Sequence, residues 1–129
     1  MKKTETRIAF ISLLGENMVL EEMKKGVVIE ESDIRENTKA ALTLTRGERF
    51  TALLDTRGKN VTITNKAMKY GASSKITKER IATAHLTNSI SGRLFANLFM
   101  KFFKPQIHNR MFADKKEAIK WLKKFTPDS

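Results

Sequence analysis

The sequence predicts a single α/β domain: a mixed, mostly parallel sheet of about five strands, an antiparallel hairpin at one edge, and about four helices. Three observations predict it. Short apolar runs alternate with amphipathic helical patterns along nearly the whole chain, the order expected of βαβ units. A length of 129 residues suits one domain. The connections read as short polar turns, with no internal repeat, low-complexity segment or long linker.

Taken in order, Thr6 to Leu13 and Met18 to Met23 are apolar-rich runs separated by Leu14-Gly15-Glu16-Asn17. That is the composition of a hairpin turn, so the two runs form the antiparallel pair. Lys24-Lys25-Gly26 is a second turn and Val27-Val28-Ile29 a short extended piece. Ser32 or Asp33 then caps a helix whose Ile34, Thr38, Ala41, Leu42 and Thr45 share one face, opposite Arg35, Glu36 and Lys39. Gly47 is its left-handed stop. Arg49 to Asp55 is compact and apolar without strict alternation, as expected of a central strand covered on both sides. After the polar turn Thr56-Arg57-Gly58-Lys59-Asn60, Thr64 or Asn65 caps a short helix ending at Gly71, and Arg80 to Leu86 is the next strand.

Thr87-Asn88-Ser89 caps the greasiest helix, Ser89 to Pro105, which holds Phe95, Phe99, Phe102 and Phe103. At about 100° per residue, Arg93, Asn97, Lys101 and Lys104 fall in one sector about 80° wide, and the rest of the circumference is apolar or small. A helix lying on one sheet buries less than that. Leu94, Phe95, Leu98 and Phe102 are assigned to the sheet. Phe99, Met100 and Phe103, beside Arg93, Lys101 and Lys104, form a candidate interface, with three kinds of cover in view: a second copy in a homodimer, an apolar ligand, or an anionic lipid surface. Gln106 to Phe112 is a weaker strand suited to an edge. Asp114 and Glu117 begin the last helix as a D-x-x-E variant of the capping box, and Ala118, Trp121, Leu122 and Phe125 recur at helical spacing on its core side.

Lys and Arg number 25 against 14 Asp and Glu, a formal charge of +11, and the excess is uneven. Residues 1–64 hold 11 cations and 10 carboxylates, whereas residues 65–129 hold 14 and 4. Such a field attracts anionic partners. It supports no specific nucleic-acid recognition, because the stacking aromatics and reading motifs are missing. No apolar run approaches the ~20 residues of a membrane span. The absence of cysteine excludes disulfides, thiolate metal sites and a cysteine nucleophile, and a cytoplasmic setting is expected. A phosphate loop, a nucleophile elbow and an H-E-x-x-H motif are all lacking. The one catalytic-looking pair is Asp55 and His85, both at strand ends; His85 and His108 belong to opposite ends of the sheet and are not expected to share a metal. Asp55 is expected to accept backbone N–H groups of its own turn, and Arg57 beside it is a candidate anion contact.

Leu53-Leu54-Asp55-Thr56-Arg57-Gly58, the Phe102-Phe103-Lys104-Pro105 close of the Phe-rich helix and the ending Phe112-Ala113-Asp114-Lys115-Lys116-Glu117-Ala118-Ile119-Lys120-Trp121-Leu122 occur together. In this the chain resembles, over roughly residues 18–125, small STAS-like bacterial proteins similar to anti-sigma factor antagonists (SpoIIAA-like) and, more distantly, CRAL-TRIO lipid-binding domains. The resemblance implies a STAS-like fold and a non-catalytic regulatory or scaffold role. It makes Asp55, Thr56, Arg57 and Gly58 a candidate regulatory turn, with Thr56 where those antagonists carry their phosphorylated Ser segment. The expected function is therefore that of a non-enzymatic module without cofactor, acting as a homodimer on an unknown protein partner. Binding of lipid or a small apolar ligand through residues 89–104 is the alternative.

Overall fold

The computed structural model describes residues 3–71, 73, 75, 78–90, 92–94, 97 and 108–125. In chain order its elements are β1 (Lys3–Glu5), β2 (Ala9–Gly15), β3 (Met18–Met23), β4 (Val28–Ile29), α1 (Glu31–Leu44), β5 (Phe50–Asp55), β6 (Thr62–Ile63), α2 (Asn65–Gly71), β7 (Arg80–Leu86), β8 (His108–Phe112) and α3 (Lys115–Leu122). Ile90, Gly92, Arg93, Leu94 and Asn97 are also helical. The main sheet has six strands, one more than expected, in the order β1-β2-β3-β5-β7-β8. β1, β2 and β3 are antiparallel, while β3, β5, β7 and β8 run parallel. The mixed sheet with its antiparallel edge is the predicted class, and Phe50–Asp55 is central in it.

Three local departures have physical causes. The predicted first strand is broken at Thr6–Ile8, where Arg7 turns away from the sheet to donate from Nε to Asp33 Oδ1 at 2.9 Å and from Nη2 to the Val28 carbonyl at 2.8 Å. The first helix is capped neither by Ser32 nor by Asp33 as Ncap. It begins at Glu31 after Glu30, and Asp33 reaches back from the first turn to accept the Glu30 N–H at 2.8 Å. β4, read as a short extended piece, and β6, left unassigned, pair with each other as a small parallel ladder outside the main sheet.

Alternation on the central strands sends side chains to two separate cores. On one face Val19, Met23, Phe50 and Ala52 pack with Ile8, Ile11, Ala41 of α1 and Ala67 of α2. On the other, Leu20, Leu53, Ala82, Ala84 and Leu86 pack with Ala118 and Leu122 of α3. The predicted α3 stripe is in place: Asp114 accepts the Glu117 N–H at 3.0 Å, and Trp121 lies with its ring centroid 5.6 Å from Phe112 and 4.9 Å from Phe125.

The first face also buries a charge pair. Arg80 of β7 donates to both carboxylate oxygens of Glu21 of β3, at 3.0 and 2.8 Å, across the intervening β5. Its Nε donates to Thr38 of α1 at 3.2 Å, and its guanidinium lies 5.3 Å from the centre of the Phe50 ring. Burial alone would lower the Arg80 pKa, but the charge and hydrogen bonds of Glu21 outweigh it and hold Arg80 above its usual value. Removing one partner leaves the other charge buried and unpaired. Glu21→Ala is expected to cost about 3–5 kcal/mol in urea denaturation, and Glu21→Leu combined with Arg80→Met to recover most of it.

Candidate functional site

Above the first face, α1, α2, the ladder of β4 and β6 and the loop after β5 enclose a cavity of about 950 Å³. Its floor is the sheet itself: Glu21 and Met23 of β3, Leu54 of β5, Thr83 and His85 of β7, and Asn109 of β8. One wall is Ile34 and Asn37 of α1; another is the β4–β6 ladder, where Ile29 pairs with Ile63, together with Val61 and Met68. Thr87, Asn88, Ser89 and Gly92 close one end. A Cβ on Gly92 would lie 2.4 Å from Thr87 Oγ1 and 2.8 Å from Ser89 Oγ, so each hydroxyl would have to turn away to admit one. Its aliphatic lining comes from Ile29, Ile34, Leu54, Val61, Ile63 and Met68, with polar residues on the floor, in the walls and at that end.

Those polar groups are ordered by each other. His85 Nε2 lies 2.7 Å from Asn109 Oδ1, beside the Glu21–Arg80 pair. His85 is half-buried, its open side being the cavity. Burial pushes its pKa below the usual histidine value, and the Asn109 hydrogen bond offsets only part of this. Asn37, which sequence reasoning left unassigned, is buried and accepts the Thr6 hydroxyl at 2.7 Å.

The candidate turn lies at the carboxyl end of β5, with Asp55 on the face of the sheet opposite His85. Leu54 is the register partner of His85, and Asp55 that of Leu86, so the Asp55 and His85 side chains leave the sheet on opposite faces and do not form a pair. Asp55 accepts the Arg57 backbone N–H at 3.1 Å, as expected, and also the Arg57 side chain, from Nε at 3.1 Å and from Nη2 at 3.0 Å. Burial would raise the Asp55 pKa, but these bonds and the charges of Arg57 and Lys115 bring it below the carboxylate range. The Thr56 hydroxyl donates to the Leu86 carbonyl at 3.2 Å, and Gly58 takes the left-handed conformation at φ 68°. Thr64 caps α2, its hydroxyl accepting the Ala67 N–H at 3.1 Å.

The turn walls a second void, an open groove of about 690 Å³ beside the cavity, lined by Lys3, Lys24, Lys25, Arg57, Lys59, Phe10, Glu22 and Asp55 among others. His108 is three rungs from His85, opposite Ala82, and stacks on Phe125 with ring centroids 4.5 Å apart, so the histidines are apart as expected. Of the predicted interface, Arg93 is exposed, whereas Phe99, Met100, Lys101, Phe103 and Lys104 lie outside the described residues. Leu94, expected against the sheet, is instead 59% exposed and Ile90 80% exposed, on a helical turn begun by Ser89, whose hydroxyl accepts the Gly92 N–H at 3.0 Å. No described helix is long and apolar enough to cross a membrane.

The cavity floor was legible only in part. Glu21 inside the apolar run Met18 to Met23, and Arg80 opening another apolar strand, are the two charges whose position in sequence points inward; Asn109, in a weak edge strand, carries no such signal.

Comparison with known proteins places this architecture. The model of a family described as a domain of unknown function (DUF7793) matches residues 12–126, and the chain belongs to that family. No curated protein matches it. Among solved structures, an uncharacterised protein of the DUF3478 family from Shewanella loihica PV-4, with a SpoIIAA-like fold, superposes with a TM-score of 0.57 at 17% identity, over 94% of this chain and 90% of that one. The fold is thus SpoIIAA-like, as the resemblance implied.

The depressed His85 pKa has a consequence for stability. Above the usual histidine pKa of about 6.5 the residue is neutral both folded and unfolded and contributes no pH dependence. Below it the unfolded chain takes up the proton first, so stability falls with pH until the folded histidine also protonates. Urea midpoints measured from about pH 7 to pH 5 are expected to decline, and His85→Gln to remove that part of the decline.

Proposed function

We propose that this member of the DUF7793 family is a non-enzymatic binding module that holds a small apolar ligand in the cavity over its sheet. The observation that carries this reading is the cavity itself. Its volume of about 950 Å³ lies at the upper end of the roughly 300–1,000 Å³ common for small-molecule sites, and it combines aliphatic walls with a few convergent polar groups. It adjoins the carboxyl ends of β3, β5 and β7 through Met23, Thr56 and Thr87–Asn88, where open α/β sheets place their ligands. Catalysis has weaker support, since Asp55 and His85 face apart and Asp55 is committed to Arg57. The regulatory or scaffold role then amounts to a change in what the domain contacts when the cavity is filled.

A neutral solvatochromic dye such as Nile red tests the ligand reading. Saturable binding with a blue-shifted emission is expected, and Val61→Trp, which fills the cavity from its loop wall, should weaken it about tenfold or more, or about 1.4 kcal/mol, with unchanged far-UV circular dichroism. Undiminished dye binding by that variant would place the dye elsewhere.

Protein contact through a homodimer is favoured by a separate observation, the exposure of Ile90 and Leu94 one helical turn apart beside Arg93. Sedimentation velocity is expected to give twice 14.7 kDa for the native chain and 14.7 kDa for Leu94→Lys. A native monomer at all concentrations rejects the dimer.

A further inference from the structure

The cavity and the groove beside it meet: Met23, Gly58, Lys59 and Asn88 border both. Their electrostatics differ sharply. Lys59 stands at the border with the groove, and among the described residues the full charges on the cavity floor, Glu21 and Arg80, neutralise each other through two hydrogen bonds. A ligand charge brought there would lose its hydration and find no counter-charge in excess. The buried part of the ligand is therefore uncharged.

The groove has the opposite character. Five cations, Lys3, Lys24, Lys25, Arg57 and Lys59, line it with two carboxylates, Glu22 and Asp55, an excess of three positive charges. Arg57 is bound to Asp55, Lys3 is 3.8 Å from Glu22, and Lys24 pairs with Glu5. Lys25 and Lys59 have no carboxylate partner among the described residues. They are held near each other by the turn itself, where the Gly26 N–H donates to the Lys59 carbonyl at 2.6 Å.

We propose that the ligand is an amphiphile whose apolar body fills the cavity and whose anionic head, a carboxylate or a phosphate, lies in the adjoining groove against Lys25 and Lys59. The inference rests on the apolar-ligand reading above and adds the charge and position of the head. Each surface lysine contributes under about 1 kcal/mol, so two of them set a head-group preference on the order of tenfold, screened by salt.

Displacement of Nile red by decanoate, decyl phosphate, decanol and decylamine, each below its micelle concentration, tests it. Decanoate or decyl phosphate is expected to compete about tenfold better than decanol, and decylamine worst; which anion wins identifies the head. The preference should shrink with added salt and disappear in Lys25→Glu/Lys59→Glu. Equal competition by all four compounds, an unchanged preference in the double variant, or binding only to anionic phospholipid vesicles without dye displacement overturns the proposal. Failure of Nile red to bind overturns the ligand reading itself, so the two failures are distinguishable.

Discussion

The Glu21–Arg80 pair ties together the parts of this fold that chain order keeps apart. It joins β3 to β7 over the top of β5, and through Thr38 it anchors α1 to the same point. Because both charges are removed from water, the geometry is strict: the bidentate bonds form only in the observed register, and a slip of one residue would send Glu21 to the opposite face. The pair costs desolvation and adds little net stability, but alternative strand registers leave it unsatisfied. Its position on the cavity floor links that structural constraint to the site.

The two faces of the sheet are built differently for the same reason. Toward α3 the central strands present Leu53, Ala82, Ala84 and Leu86, small and aliphatic, and the helix seats Ala118 and Leu122 directly on them. Toward α1 and α2 the same strands present Glu21, Thr83, His85 and, from β8, Asn109, which no aliphatic helix face can cover without stranding polar groups. Beside the core that Val19, Phe50 and Ala52 form with Ala41 and Ala67, this polar stretch of the same face is left as a void. In a sheet of this topology it adjoins the ends of the strands, where the loops carry the basic groove.

Much of the fold is visible in sequence because its elements are punctuated by groups with a single local role. Gly47 with φ 83°, Thr64 capping α2, Ser89 opening the Phe-rich helix and Asp114 opening α3 act within three or five residues of themselves, and pattern reading finds them. The break at Thr6–Ile8 is decided by Arg7 reaching Asp33, 26 positions away, and no local pattern encodes that, whereas the start of α1 is set locally by Asp33 reaching back to the Glu30 N–H. The cavity lies further still from sequence. Its walls come from β4, α1, β6 and α2, and Val61, Ile63 and Met68 read in sequence as ordinary loop and helix residues. That Asp55 binds its own turn was legible, yet its apparent partner His85 was not excluded until the register put the two on opposite faces.

The division of labour between cavity and groove bears on how such a domain discriminates among ligands. A closed apolar chamber selects weakly, since one methylene more or less changes binding by roughly 1 kcal/mol. A charged head that must stay outside changes this, because it fixes which end of the ligand enters and sets the depth available to the body. Lys59 and Gly58 belong to both voids, so the loop that holds the left-handed Gly58 turn also defines that boundary. Movement of this loop alters the length of the chamber and the position of the charge together. In the proposed complex, selectivity for ligand length and for head-group charge would therefore be coupled through one short turn, the one that also carries Asp55, Thr56 and Arg57.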